Sequence, residues 1–192
     1  ALANRMKYHM EDLIHPDQQG CMRGRFIGIS VRTLMDIVNH IQGTQQESFL
    51  MALDIAKCFD SYEHCMVDQV LEQYGFGPFF RSQIQLFHRN LKFCTSNNGF
   101  TSDWFCPSRG LPQGSPLSAY LSILCLDFLT RKIRACTAIP GIKLGDRVTK
   151  LTAYADDINV FLPNSQQAFN SMLQILEAFF TSFHIRVNYD KT

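Results

Sequence analysis

Tyr154-Ala155-Asp156-Asp157 stands between two apolar runs, Val148-Thr149-Lys150-Leu151-Thr152-Ala153 and Ile158-Asn159-Val160-Phe161-Leu162. Two β-rich runs around so short a break predict a hairpin. Adjacent carboxylates at its tip are poor folding chemistry, because Asp is depleted in strands and like charges this close repel. A divalent cation offsets that repulsion, since hard oxygen ligands suit Mg²⁺. With a third carboxylate from elsewhere, two cations could sit about 3.5–4 Å apart and clamp an in-line phosphoryl displacement.

Working outward, the candidate for that third carboxylate is Asp54. It ends the apolar run Phe49-Leu50-Met51-Ala52-Leu53-Asp54-Ile55, which reads as a buried strand. A buried Asp without compensation costs several kcal/mol. A strand-end Asp that caps the next turn is the plainer alternative. Asp60 is better explained as a helix cap, because Asp60-Ser61-Tyr62-Glu63 has the spacing of a capping box. The third notable segment is Gly110-Leu111-Pro112-Gln113-Gly114-Ser115-Pro116. Its glycines and prolines stiffen a loop whose backbone can approach a ligand closely. Ser115 and Pro116 open a helix there, so free N–H groups would face an anionic group.

Composition limits the function classes. The 192 residues are 46% hydrophobic and 18% charged, an ordinary globular balance that excludes a disordered chain. The net charge of +1 carries no bulk signal for nucleic acid. Basic clusters recur at Arg5/Lys7, Arg23/Arg25, Arg81/Arg89/Lys92 and Arg131/Lys132/Arg134. Each reads first as a solvated face, and a phosphate backbone would need several of them lining one groove. The seven cysteines form no CxxC pair and no zinc spacing, and read as free, mostly buried thiols in a reducing compartment. Without a signal peptide or a long apolar run, the expectation is an intracellular protein, nuclear or cytoplasmic. The richest apolar stretch, Ala119 to Leu129, is interrupted by Asp127. The chain begins at Ala1 without Met and stops at Thr192 after an apparent strand, as an excised piece would.

The periodicity predicts helices over Leu2 to Ile14, Val31 to Ile41, Asp60 to about Tyr74, Gly75-Pro78 to about Asn90, Ser115 to about Ala135 and Ser165 to about Thr181. Asn97-Asn98-Gly99 predicts a second hairpin, and Ile185 to Tyr189 a final strand. The fold class is α+β, a small antiparallel sheet backed by helices.

These pieces together resemble a family. Leu53-Asp-Ile-Ala-Lys-Cys-Phe-Asp60, Gly110-Leu-Pro-Gln-Gly-Ser-Pro-Leu-Ser118, Tyr154-Ala-Asp-Asp157 and Val187-Asn-Tyr-Asp-Lys-Thr192 stand in the order of the palm motifs of reverse transcriptases. The upstream Gln18-Gln-Gly-Cys-Met-Arg-Gly-Arg25 looks like a block shared by non-LTR (LINE-type) retrotransposon and group II intron enzymes. His15-Pro-Asp-Gln18 and Pro140-Gly-Ile142 favour the non-LTR type. The resemblance runs nearly end to end.

It implies a polymerase right-hand palm with part of the fingers: residues 1–48 as partial fingers and 49–192 mainly palm, with helical fingers elements at about 61–90. It implies RNA-directed DNA polymerase activity, with an RNA template, a DNA primer and dNTP as partners and two Mg²⁺ (or Mn²⁺) as cofactors. Asp54, Asp156 and Asp157 would hold the metals, assisted by the carbonyl of Ile55. Phe59 would exclude a ribose 2′-hydroxyl, and Gln113 and Gly114 would touch the templating pair and incoming nucleotide. Tyr154 would lie near the primer end, Lys191 would protonate pyrophosphate, and Arg23 and Arg25 would contact the template. The family's fingers hairpin would precede Ala1 and its thumb would follow Thr192, so weak or no polymerisation is expected of this chain alone. Three readings stay open beside this one: a catalytically silent palm that binds RNA or serves assembly, a group II intron or retron-type enzyme, and an RNA-dependent RNA polymerase. Ala155 and Phe59 argue against the last.

Overall fold

The structure, a computed structural model, describes residues 1–89 and 91–187. The first half runs α1 (Leu2–Leu13), α2 (Ile27–Thr44), β1 (Ser48–Leu53), β2 (Ile55–Ala56), α3 (Cys58–Ser61), α4 (His64–Gln73), α5 (Pro78–Arg89), β3 (Ser96–Asn97) and β4 (Phe100–Thr101). The second half runs α6 (Pro116–Ala135), β5 (Ile142–Leu144), β6 (Arg147–Thr149), β7 (Leu151–Tyr154), β8 (Asp157–Pro163), α7 (Gln166–Phe183) and β9 (Arg186–Val187). The mixed α and antiparallel β class is as predicted.

Local chemistry sets most boundaries. His15-Pro16 halts α1, since the residue before proline disfavours helix. Pro116 occupies the first turn of α6, where its missing N–H costs nothing. Ser165 caps α7, its hydroxyl accepting the Ala168 N–H at 3.5 Å. Asn98 and Gly99 both take left-handed φ, 49° and 84°, the two-residue turn that suits the right-handed twist of β3 and β4.

The main sheet is antiparallel in the order β1-β8-β7. Helix α6 packs against α1, α4, α7 and β7, so it is apolar on all sides rather than striped. Leu121, Leu124, Leu129 and Ile133 lie fully inside, each contributing roughly 1.5–3 kcal/mol by burial. Strand β8 is buried on both faces. Ile158, Val160 and Leu162 enter the main core, while Phe161 joins Ile37 of α2 and Ile142 of β5 on the other side.

Several expectations are corrected. The run Phe49 to Ile55 is not one buried strand, because Phe49 and Leu50 are half exposed and burial begins at Leu53. The capping box at Asp60 does not form. Asp60 lies inside the short α3, Tyr62 is extended, and α4 starts at His64. The reason is tertiary: the fully buried Tyr62 offers its carbonyl to the Gly110 N–H at 2.8 Å. The run Val148 to Ala153 is divided between two hairpins, since Val148 pairs with Lys143 and Leu151 with Val160. Helix α2 starts at Ile27, four residues before Val31. All seven cysteines are free thiols, but only Cys58 and Cys125 are buried. No helix among the described residues is long and apolar enough to cross a membrane.

Several members of the basic clusters are occupied within the chain. Arg81 pairs with Asp68 and Glu72. Asp127, 4% exposed, accepts from Tyr74 Oη at 2.6 Å, Arg131 Nε at 2.5 Å and Arg134 Nη2 at 2.8 Å. Burial alone would raise its pKa, but the Tyr74 hydroxyl and the two guanidinium groups outweigh it and hold the carboxyl below its ordinary value. Arg131 also donates to the Leu13 carbonyl at the end of α1, and Arg134 approaches Asp17 at 3.7 Å.

Candidate active site

The predicted hairpin is present. Tyr154 pairs with Asp157 across the two-residue loop Ala155-Asp156, and Ala155 takes a left-handed φ of 54°. On the other flank of β8, the β1 ladder ends with Leu53 opposite Ile158. Asp54 follows Leu53 directly, just past the end of that ladder, and lies close enough to Asp157 to bear on its charge. A strand pairing and a tight turn thus bring three carboxylates from two distant parts of the chain to one end of the sheet.

Their electrostatics follow from that placement. Partial burial, then Asp156, then Asp54 push the Asp157 pKa up from its ordinary value. Asp156 also reaches two thiols: burial and then Asp156 raise Cys21, while Cys58, buried beside Tyr62 and Ser122, is pushed up to about 11. Oxygen donors that repel one another are the donor set a hard divalent cation relieves. Among the described residues no group of three or more His, Cys, Asp or Glu side chains stands in metal-ligand geometry. A cation would therefore have to draw these carboxylates together.

The other predicted residues are placed as follows, with two exceptions. Ile55 is buried in β2 and pairs with Val187. Phe59 lies in α3, half-buried against the main core, and its carbonyl accepts the Leu111 N–H at 2.7 Å. That bond and the Gly110–Tyr62 bond fasten the Gly110 loop to α3. Gln113 is exposed, its amide 3.4 Å from Asp60 Oδ1. Gly114 takes a φ of 83° in open space, a conformation that favours glycine. The loop borders a cavity of about 410 Å³ that Asp60, Phe93, Phe105 and Gln113 help to line. Tyr154 and Asp157 line another of about 270 Å³, beneath Ile27, Val31 and Leu34 of α2.

The exceptions are Arg25 and Lys191. Arg25 donates to the carbonyls of His15 at 2.8 Å, Gln18 at 2.7 Å and Ile14 at 3.1 Å, so its guanidinium braces its own chain. Arg23 is exposed nearby. Lys191 lies outside the described residues.

Two residues beside the hairpin had no role assigned from the sequence. Gln18 contacts the Ala155 peptide across 137 positions, a separation no local pattern reveals. Gly20 packs so closely that a Cβ there would lie 2.1 Å from the Ala155 nitrogen. Gly20→Ala must displace either the turn or its own segment. The expected cost is about 1–3 kcal/mol, the range for overpacking, read as a lowered midpoint in urea unfolding. An unchanged midpoint would mean the two segments separate freely.

The Retrovirus-related Pol polyprotein from type-2 retrotransposable element R2DM of Drosophila melanogaster is 29% identical over 160 residues, covering 83% of this chain and 15% of that protein. The Transposon TX1 uncharacterized 149 kDa protein of Xenopus laevis is 26% identical over 193 residues, covering 100% of this chain and 15% of its own length. The Retrovirus-related Pol polyprotein from type-1 retrotransposable element R2 of Nasonia vitripennis is 25% identical over 177 residues, 92% of this chain and 17% of that protein. The chain thus spans about one-sixth of the length of these relatives. The family model described as reverse transcriptase (RNA-dependent DNA polymerase) matches residues 1–192, and the chain belongs to that family.

Proposed function

We propose that this chain is the catalytic part of a non-LTR retroelement polymerase that copies RNA into DNA, joining dNTP to a primer 3′-hydroxyl. The observation that carries the reading is the meeting of Asp54, Asp156 and Asp157 at one end of the sheet, where partial burial and the other two carboxylates raise Asp157. The sheet with α6 and α7 behind it serves as the palm of a right-hand polymerase, and residues 1–48 as part of the fingers. Asp54, Asp156 and Asp157, with the Ile55 carbonyl, would hold two Mg²⁺. Bound there, they supply Lewis-acid activation of the hydroxyl and neutralise charge on the triphosphate.

The chain's own residues do the rest. The strand pairing and the tight turn keep the carboxylates at one end of the sheet, where a cation would draw them together. Tyr154 supports the primer end. Gln113 and Gly114, on a loop fastened to α3, face the nascent base pair. Lys191 donates a proton to the leaving pyrophosphate, and Arg23 meets the template strand.

The test is Mg²⁺-dependent dNTP incorporation on a primed RNA template, by this chain and by a longer form of its reading frame. Template binding with no incorporation by either would favour a silent RNA-binding palm. Phe59 sets the sugar specificity in this reading. Phe59→Ala is expected to raise rNTP use relative to dNTP by about 10–200-fold, the range for removing contact with one small group. If relative rNTP use stays the same, Phe59 is a core residue and not a gate.

A further inference from the structure

The segment from Asp17 to Gly20 lies along the outer edge of β7. Ala153 N–H donates to the Asp17 carbonyl at 2.9 Å, and Gln19 N–H to the Ala153 carbonyl at 2.8 Å. From this edge the Gln18 side chain, 6% exposed, reaches the carboxylate turn. Its Nε2 donates to the Ala155 carbonyl at 2.9 Å, and its Oε1 accepts the Ala155 N–H at 2.8 Å and the Gly20 N–H at 2.9 Å. The two N–H donors can face only the amide oxygen, and the carbonyl only the amide nitrogen, so the carboxamide has one orientation.

One side chain therefore holds both polar groups of the residue directly before Asp156. Ala155 needs that support, since a left-handed φ is unfavourable for a residue with a Cβ. The brace has its own foundation. Arg25 holds the Gln18 carbonyl, and Asp17 faces His15, Arg134 and Arg147.

We propose that Gln18 is a positioning residue for the metal-binding carboxylates: by clamping Ala155, it fixes the backbone from which Asp156 and Asp157 project. Among the described residues this carboxamide alone offers the turn a donor and an acceptor together, so a side chain of equal volume without them cannot replace it. The inference rests on the metal-binding reading of Asp54, Asp156 and Asp157, and extends it to a residue that touches neither metal nor substrate.

The test uses the 192-residue chain, with Mn²⁺ as probe and binding followed by electron paramagnetic resonance. Gln18→Met keeps the length and removes both hydrogen-bonding groups. It is expected to speed amide exchange at Ala155 by about tenfold or more while α6 amides stay protected, and to weaken Mn²⁺ binding by about 10–100-fold, the usual effect of losing an outer-shell partner. Gln18→Glu, which keeps the acceptor and loses the donor, serves the same comparison if the Met variant fails to fold. Faster Ala155 exchange with wild-type Mn²⁺ affinity would overturn the inference, because Gln18 would then be structural only. Unchanged exchange would overturn it as well. Asp156→Asn separates the two levels. If it binds Mn²⁺ as the wild type does, the metal reading falls and the inference with it. If it binds weakly while Gln18→Met binds normally, only the inference falls.

Discussion

Asp156→Asn is expected to lower RNA-templated dNTP incorporation by about a thousandfold while the protein stays folded. Asn keeps the shape of the side chain and removes its charge. Lewis-acid stabilisation of a phosphoryl transition state is worth several kcal/mol, and roughly 4 kcal/mol corresponds to about three powers of ten in rate. The fold should not suffer. Asp156 sits in a two-residue loop whose backbone is held through Ala155, and its charge raises the neighbouring Asp157. Removing it relieves repulsion in the metal-free protein, so the thermal midpoint should stay level or rise. Asp54→Asn should lower incorporation alike, because Asp54 lies close enough to Asp157 to help raise it. The measurement is primer extension at saturating Mg²⁺ by the longer form of the reading frame, with the melting temperature recorded on the same samples. An Asp156→Asn enzyme within about tenfold of wild type would remove Asp156 from the metal site, since that small a change is only about 1.4 kcal/mol.

Asp127→Asn carries the largest expected loss of stability, about 3 kcal/mol. Breaking a buried pair by removing one partner costs about 3–5 kcal/mol, because the other charge stays behind uncompensated. The lower end applies here, since Arg131 is half exposed and recovers hydration, whereas Arg134 is 18% exposed and does not. Urea unfolding should show a lower midpoint with an unchanged slope. The pH dependence has a definite sign. Asp127 is depressed in the folded state, so its contribution is complete above the unfolded carboxylate value of 3.8 and is lost as pH falls through the lower folded value. The gap between wild type and variant should therefore close below that value. A gap that stays constant from neutral pH down to about pH 3 would show that packing, and not the charge network, is what the substitution removes.

Much of this architecture was legible in the chain because its signals are local. The helix from Pro116 to Ala135 has its start written in Ser115-Pro116 and its body in the apolar stretch Ala119 to Leu129, which Asp127 interrupts. The Asn98-Gly99 turn and the stop at His15-Pro16 depend on the φ preferences of single residues. The β5–β6 hairpin was also signalled, by Gly145 between Leu144 and Arg147, but the longer apolar run beside it concealed the break. The Asp60 capping box failed for a different reason. Its spacing is correct, yet burial of Tyr62 and the demand of the Gly110 N–H for an acceptor outweigh a cap worth about 1 kcal/mol. Asp127 was visible as an interruption, and arginines four and seven residues later were the clue to its pairing.

The sequence by itself singled out the groups proposed to carry the chemistry. Adjacent carboxylates at a hairpin tip, and an acidic end to an apolar strand, are electrostatic costs that residue identity alone exposes. Tertiary structure decided what brings them together and what holds them. The β1–β8 pairing brings Asp54 near Asp157, Arg25 serves as a brace for its own segment, and Gln18 grips a peptide 137 positions away. Local preferences extend over a few residues, whereas hydrogen bonds of this kind exist only after α6 and the sheet have packed and brought the edge of β7 to the segment after α1.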